Sequence, residues 1–180
     1  MRKLSNSELQ RVSVDEFKNQ SKTPIIIFLD SVRSLLNVGS VFRTADAFSI
    51  ESIYLCGITG KPPHREIQKT ALGATESVDW KYFETLDEAV NYFRKQFSEG
   101  LIYAVEQADV SIKLNEFSPD IEKKTGLIFG NEINGVDEKI FSSIDGCIEI
   151  PQFGTKHSLN ISVCAGIVLW EICNKFFQKK

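Results

Sequence analysis

Two short loops carry most of the side chains that could do chemistry in this chain. The first, Gly130-Asn-Glu-Ile-Asn-Gly135, follows an apolar strand and places Glu132 between two glycines. Glycines at the carboxyl end of a strand let a ligand approach the backbone closely, and the Glu132 carboxylate could bind a hydroxyl group or a cation there. Because ordinary turns between strand and helix use the same residue types, this loop by itself does not define a reaction.

The second loop lies between a brief strand at 147–150 and a strongly apolar helix. Pro151 stops the strand because it has no N–H to continue the sheet, and Gly154 permits a tight bend. Ser158 stands where the N-cap of the helix would be, ahead of the apolar run that starts at Leu159. We therefore expect a functional loop here, with Ser158 as a helix cap.

A third candidate, Arg43, belongs to a helix predicted after the first strand. Asn37 is a suitable N-cap for this helix. The apolar residues at 38, 41, 42, 45 and 48 keep the spacing of one buried helix face. Arg43 points almost directly away from that face, so periodicity alone makes it a solvated surface residue.

Basic residues are concentrated in a predicted loop from Gly60 to Gly73. The loop contains Lys61, Arg65 and Lys69, together with two prolines. A long, basic and partly rigid loop suits a role that faces a substrate. By composition alone, such a cluster is more often ordinary solvated surface.

Apolar runs predict the elements that position these residues. Strands are predicted at 25–30, 53–58, 78–83, 101–106, 127–129 and 147–150, and helices between them include 86–97 and about 136–144. The alternation of strands and helices predicts an α/β fold with a mostly parallel open sheet and helices on both faces. The loops after residues 30, 129 and 150 would then converge at one edge of the sheet, where such folds bind ligands.

Composition bounds the class of protein. The chain has 180 residues, 42% of them hydrophobic, which is enough for one domain, predicted at 25–180 after a short N-terminal extension at 1–24. A net charge of −3 argues against a binder that relies on a strongly basic body. No apolar run is long enough to span a membrane and no signal peptide begins the sequence, so a cytoplasmic protein is expected. The four cysteines are widely spaced, which indicates reduced core residues and no metal site.

The last helix has an unusual distribution of side chains. Its polar stripe is interrupted by Val163, Cys164 and Ile167, so its first turns are apolar all round. Such a helix must be covered on both sides, by its own sheet and by something else. In a chain this short, a second copy is a plausible cover.

Three segments together resemble the signature motifs of a known family. They are Asn37-Val-Gly-Ser-Val-Phe-Arg43-Thr-Ala45, Leu127-Ile-Phe-Gly130-Asn-Glu132-Ile-Asn-Gly135 and Ile150-Pro151-Gln-Phe-Gly154-Thr-Lys-His-Ser158-Leu159-Asn160-Ile-Ser-Val163. In order and spacing they resemble the three motifs of the SpoU, or TrmH-like, branch of the SPOUT RNA methyltransferases. The match spans residues 25 to about 175.

The resemblance implies both a reaction and a fold. The reaction is transfer of a methyl group from S-adenosylmethionine to a ribose 2′-hydroxyl of tRNA or rRNA, with tRNA favoured. The fold is the open α/β sheet with a C-terminal deep trefoil knot. The apolar pattern of the sequence does not predict the knot, because threaded connections are rare. The resemblance also implies a homodimer that packs through the knot helix.

The resemblance assigns roles to residues by position. Arg43 corresponds to the catalytic arginine; a guanidinium is a poor base, so hydrogen bonding and stabilisation of the forming alkoxide are its easier roles. The other polar site residues would be Asn37, Glu132, Ser158 and Asn160. The cofactor would be held near Phe129, Gly130, Gly135, Ile150, Pro151 and Leu159, and RNA binding would rest on Lys61, Arg65 and Lys69.

Two other functions remain open from the sequence. The first is a non-catalytic RNA-binding or assembly protein that keeps the knotted fold; the joint presence of Arg43, Glu132, Ser158 and Asn160 weighs against it. The second is an α/β enzyme acting on a small nucleotide, which is disfavoured because neither Gly-x-Gly-x-x-Gly nor a phosphate-binding loop motif is present.

Overall fold

The fold is described from a computed structural model that defines residues 1–5, 7–9 and 11–178. The last two residues of the predicted domain at 25–180 lie outside the described residues. Within the predicted N-terminal extension, helix α1 (Val14–Asn19) is capped by Ser13 and buries Phe17 against the main core. The boundary at residue 24 stays a prediction.

Within the described residues, seven strands form one open sheet in which every strand pairing is parallel. They are β1 (Thr23–Asp30), β2 (Ile50–Cys56), β3 (Asp79–Phe83), β4 (Leu101–Val105), β5 (Ile112–Lys113), β6 (Thr125–Phe129) and β7 (Gly146–Glu149). Their order across the sheet is β3-β2-β1-β6-β4-β7-β5. The predicted parallel α/β sheet is therefore confirmed. The short edge strand β5 was not predicted, since it has no apolar run.

Five further α-helices accompany the sheet in the described part of the chain. They are α2 (Leu35–Ala47), α3 (Arg65–Ala71), α4 (Ala74–Ser77), α5 (Leu86–Gln96) and α6 (Ile161–Gln178). Residues of α2, α3 and α6 join one hydrophobic cluster and residues of α5 join another. These two clusters lie on opposite faces of the sheet because side chains alternate along each strand: Ile27 belongs to the first cluster and Ile26 to the second. The prediction of helices on both faces is confirmed.

The predicted caps of α2 and α6 are wrong by a few residues. The N-cap of α2 is Ser34, whose hydroxyl accepts a hydrogen bond from the N–H of Asn37 at 3.3 Å. The helix therefore begins one turn earlier than predicted, and Asn37 lies inside it. The helix α6 begins at Ile161, so Ser158 lies too far upstream to cap it.

Two connections differ from their predictions. The predicted loop at 60–73 contains α3, because His64 caps its start and Ile67 supplies a buried side chain. The predicted helix at about 136–144 is a 3-10 helix at Glu138–Ser143, in which only Ile140 is buried. A single buried side chain gives this segment little reason to extend into a full α-helix.

The outer side of α6 exposes apolar side chains. Val163, Ile167 and Trp170 are 51%, 39% and 61% exposed, at a spacing that places them along one helix stripe. We call these three residues the α6 stripe. On its inner side, α6 packs against α2. At one end of the α6 stripe, the Trp170 ring lies 6.2 Å from the Phe48 ring. The rest of the α6 stripe has no such ring contact among the described residues, and all three of its side chains remain exposed.

The structure also bears on the cysteines, on metal-binding groups and on membrane-spanning helices. All four cysteines are free; Cys56, Cys147 and Cys173 are buried and Cys164 is partly buried. No group of side chains suited to holding a metal ion occurs among the described residues. Helices long and apolar enough to cross a bilayer are likewise absent from the described ranges. The deep trefoil knot stays a prediction.

Candidate active site

The turn after β6 is tied to the start of α2 by Glu132. Its carboxylate accepts hydrogen bonds from the backbone N–H groups of Arg33 and Ser34, both at 3.1 Å, and from Nδ2 of Asn37 at 3.2 Å. Partial burial acts to raise the pKa of Glu132, but these donors outweigh that effect, so its pKa lies below the ordinary value. Glu132 is therefore held as a carboxylate at a helix N-terminus, where negative charge is favoured.

Asn37 in turn contacts the start of α6. Its Oδ1 accepts a hydrogen bond from Nδ2 of Asn160 at 3.2 Å. The Oδ1 of Asn160 accepts the N–H groups of Ser162 at 3.0 Å and Val163 at 3.4 Å. Asn160 is thus the residue that caps α6. A chain of hydrogen bonds from Glu132 through Asn37 to Asn160 joins the three sequence motifs, and we call it the motif network.

The turn between Gly130 and Gly135 is compact for a steric reason. Asn131 and Gly135 exchange two backbone hydrogen bonds, each at 3.1 Å. A Cβ on Gly130 would lie 2.0 Å from the carbonyl carbon of Gly135, and Gly135 itself has a φ of +68°. Both positions therefore require glycine, as expected for a turn that brings backbone close to a ligand.

An open cleft of about 1060 Å³ lies beside this turn, at the carboxyl ends of β4, β6 and β7. Five of the six predicted cofactor-binding residues line it, namely Phe129, Gly130, Gly135, Ile150 and Leu159. The predicted site residues Glu132, Ser158 and Asn160 line it too. Pro151 does not contribute to the lining. The loops after residues 129 and 150 therefore converge at the cleft as expected, and the loop after residue 30 meets the same edge through Glu132 without lining the cleft.

The cleft has acidic side chains on apolar walls. Four carboxylates line it, those of Glu106, Asp109, Glu132 and Glu138. Its lining includes no lysine or arginine from the described ranges. Apolar atoms come from Phe129, Ile133, Ile150, Leu159, Ile161 and others. A ligand with an apolar body and a net positive charge fits such a cleft better than an anion does.

Two predicted catalytic residues have no partner in the described part of the chain. Arg43 is exposed on α2, as predicted, and it does not line the cleft. It lies six residues after Asn37, which is about 9 Å along the helix axis. Ser158 lies in the exposed loop at the cleft, and its hydroxyl makes no hydrogen bond to any described residue.

The three predicted RNA-binding residues are exposed but not equivalent. Lys61 Nζ lies 3.7 Å from the centre of the Tyr82 ring. Lys69 Nζ pairs with the Glu66 carboxylate at 2.6 Å. Arg65, at the start of α3, has no hydrogen-bond or ion-pair partner among the described residues. Of the three, Arg65 is therefore the one whose charge is fully available to a phosphate.

Sequence reasoning missed the contribution of β4. The side chains of Glu106 and Gln107 follow this strand and line the cleft. The sequence held a signal for them: a strand was predicted at 101–106, and the carboxyl ends of parallel strands share one edge. What it could not supply was the strand order, in which β4 lies between β6 and β7.

Comparison with known proteins adds a family match. The family model described as "SpoU rRNA Methylase family" matches residues 24–170. A tRNA (guanosine(18)-2′-O)-methyltransferase of Aquifex aeolicus is 32% identical over 158 residues, which cover 87% of this chain and 72% of that protein.

Two solved structures resemble the fold. The crystal structure of the A. aeolicus TrmH/SpoU tRNA modifying enzyme matches with a TM-score of 0.80 and 27% identity, over 92% of this chain and 82% of the other. The AdoMet-bound rRNA methyltransferase from Sinorhizobium meliloti matches with a TM-score of 0.75 and 26% identity, over 90% of this chain and 60% of the other.

Proposed function

The chain belongs to the SpoU rRNA methylase family, and we propose that it transfers a methyl group from S-adenosylmethionine to a ribose 2′-hydroxyl of RNA. The resemblance predicted from three sequence motifs is confirmed. The motif network carries the proposal, because it joins all three motifs by direct hydrogen bonds at the edge of one cleft.

The residues of the cleft fit S-adenosylmethionine, which supplies an electrophilic methyl group on a sulfonium when it is bound. The apolar side chains of Phe129, Ile150 and Leu159 would hold the adenosine part. The glycines at 130 and 135 allow close backbone approach. The carboxylates that line the cleft favour a positively charged ligand such as this one over a neutral or anionic ligand.

The chemical step needs alignment more than it needs a covalent intermediate. A bond forms between O2′ and the methyl carbon while the carbon–sulfur bond breaks, its electron pair stays on sulfur, and the hydroxyl proton leaves to solvent. In this proposal Arg43 donates hydrogen bonds to the developing oxyanion. Glu132, Asn37 and Asn160 hold the turn and helix ends in place, and Ser158 offers a free hydroxyl at the cleft.

For the RNA, we propose tRNA as the favoured substrate, and its phosphates would contact Lys61, Arg65 and Lys69. These positions are exposed near α3, and α3 packs directly against α2, which carries Arg43. Charge reversal at all three is expected to weaken RNA binding about tenfold or more while S-adenosylmethionine binding survives. Unchanged RNA affinity in the triple variant, measured by filter binding, would remove this surface from the proposal.

We also propose a homodimer that buries the α6 stripe. Exposed apolar side chains in a continuous stripe are unfavourable in water, and a second copy of the stripe would cover them symmetrically. The α6 stripe begins one residue after Ser162 and three after Asn160, so the dimer interface would lie beside the cleft. Localisation in the cytoplasm stays a prediction.

The decisive experiment follows labelled methyl transfer from S-adenosylmethionine to total tRNA and, separately, to rRNA that lacks the native modification. Wild type, Arg43→Ala and a control, Arg11→Ala, are compared. Arg11 is also an exposed arginine without a partner in the described part of the chain. Digestion of the product then places the methyl group on ribose or base.

The proposal predicts label on ribose in one RNA pool. It also predicts a loss of about 100-fold or more for Arg43→Ala, with Arg11→Ala unaffected. Absence of label in both pools, despite cofactor binding, would favour a non-catalytic RNA-binding protein. An Arg43→Ala variant with wild-type rates would remove the arginine from the mechanism.

A further inference from the structure

We propose that Glu106 and Gln107 are positioning residues that hold two loops of the cleft in the arrangement that binds the cofactor. We call this pair the β4 clamp. The inference rests on the proposed function, and it adds to it a fourth chain segment outside the three motifs. The pair directly follows β4, and β4 lies between β6 and β7 in the sheet. Glu106 and Gln107 therefore lie between the loop that follows β6 and the loop that follows β7.

The Glu106 carboxylate supports the turn between Gly130 and Gly135. One oxygen, Oε2, accepts the N–H of Val136 at 3.2 Å, and the other accepts the N–H of Gln107 at 2.9 Å. The same Oε2 would lie 2.1 Å from a Cβ built on Gly135. The carboxylate therefore occupies the space that any side chain at Gly135 would need, and it fixes the end of the turn.

The Gln107 side chain holds the opposite loop. Its Nε2 donates a hydrogen bond to the carbonyl oxygen of His157 at 2.6 Å. Within the described ranges, this is the one hydrogen bond that residues 151–159 form with any other part of the chain. Residues 153–159 are all exposed, so packing supplies few alternative restraints. The position of this loop over the cleft therefore depends on Gln107.

Together the two contacts restrain both walls of the cleft before the cofactor arrives. Binding to a loop that is already ordered avoids the conformational entropy cost of ordering it at that moment. Loss of Gln107 is therefore expected to weaken cofactor binding rather than to unfold the domain. Loss of Glu106 removes two acceptors and the support behind Gly135, so its effect should be larger.

The test measures S-adenosylmethionine affinity by calorimetry, together with thermal unfolding of each variant. We expect Gln107→Met to raise Kd about fivefold and Glu106→Ala about 20-fold or more, consistent with the loss of one and two hydrogen bonds. Glu116→Ala is the matched control, because Glu116 is exposed and its carboxylate has no partner in the described part of the chain.

Two further measurements separate positioning from general destabilisation. Amide hydrogen exchange in the ligand-free protein should accelerate within 151–160 in Gln107→Met and remain unchanged in β1. In steady-state methyl transfer, KM for S-adenosylmethionine should rise while kcat and KM for RNA change less than twofold.

The outcomes distinguish the inference from the function on which it rests. Wild type that binds no S-adenosylmethionine would overturn the proposed function. Wild type that binds it, with Gln107→Met and Glu106→Ala binding equally well, would overturn the β4 clamp alone. A lower kcat, a weaker cofactor affinity and a lower melting temperature together, with no faster amide exchange confined to 151–160 in Gln107→Met, would also overturn it, because they indicate a merely structural role.

Discussion

Replacing Glu132 with alanine should release the link between the turn after β6 and the start of α2. The carboxylate accepts three hydrogen bonds, from the N–H groups of Arg33 and Ser34 and from Asn37 Nδ2. The side chain is exposed, so solvent screens these contacts and water can replace part of each one. With about 0.5 kcal/mol retained per hydrogen bond, the variant should lose about 1.5 kcal/mol of folding free energy.

For a domain of this size, that loss corresponds to a melting temperature lower by roughly 4 °C. Because the pKa of Glu132 is depressed in the folded protein, the stabilisation is fully present above the unfolded-state pKa of about 4.3. It is lost as the pH falls through the lower folded-state pKa. The difference in free energy of unfolding between wild type and Glu132→Gln should therefore be largest at neutral pH and should become smaller as the pH falls.

Urea unfolding at several pH values, followed by fluorescence, measures both effects. Glu138→Ala is the control, since Glu138 lines the same cleft and its carboxylate forms no hydrogen bond with any described residue. It should change stability by less than about 0.5 kcal/mol. Equal stabilities of wild type and Glu132→Ala at neutral pH would refute the stabilising role of these hydrogen bonds. A loss of stability in Glu132→Gln that becomes larger as the pH falls would refute it too.

Three other changes test separate parts of the structure. Gly135→Ala should weaken S-adenosylmethionine binding at least tenfold by calorimetry, because φ is +68° and the new Cβ would meet Glu106 Oε2 at 2.1 Å; unchanged binding would contradict the assigned cleft. Lys175→Met should cost about 2 kcal/mol in urea unfolding, since three loop carbonyls lose the Nζ donor, whereas Lys95→Met should be neutral. Trp170→Glu should convert a dimer into a monomer in sedimentation, and a dimer that persists would place the interface elsewhere.

The helices and strands were largely predictable because their signals are local. The apolar run at 25–30 and the buried face of α2 depend only on which side chains recur at strand or helix spacing. Helix caps were less predictable, because other polar residues within one turn of Ser34 and Asn160 are equally suitable cap candidates in the sequence. The 3-10 helix at Glu138–Ser143 differed from its prediction because packing, which is not local, buries just one of its side chains.

The sequence by itself determined the family, through three motifs whose order and spacing can be recognised without coordinates. It also determined the glycines that the turn after β6 requires. Only the tertiary structure decided which side chains meet. Glu132 contacts residues almost a hundred positions away, Asn37 contacts Asn160, and Glu106 with Gln107 joins two loops that no motif connects to β4. These contacts depend on the order of strands in the sheet, and strand order arises from how separate apolar surfaces pack together rather than from any local pattern.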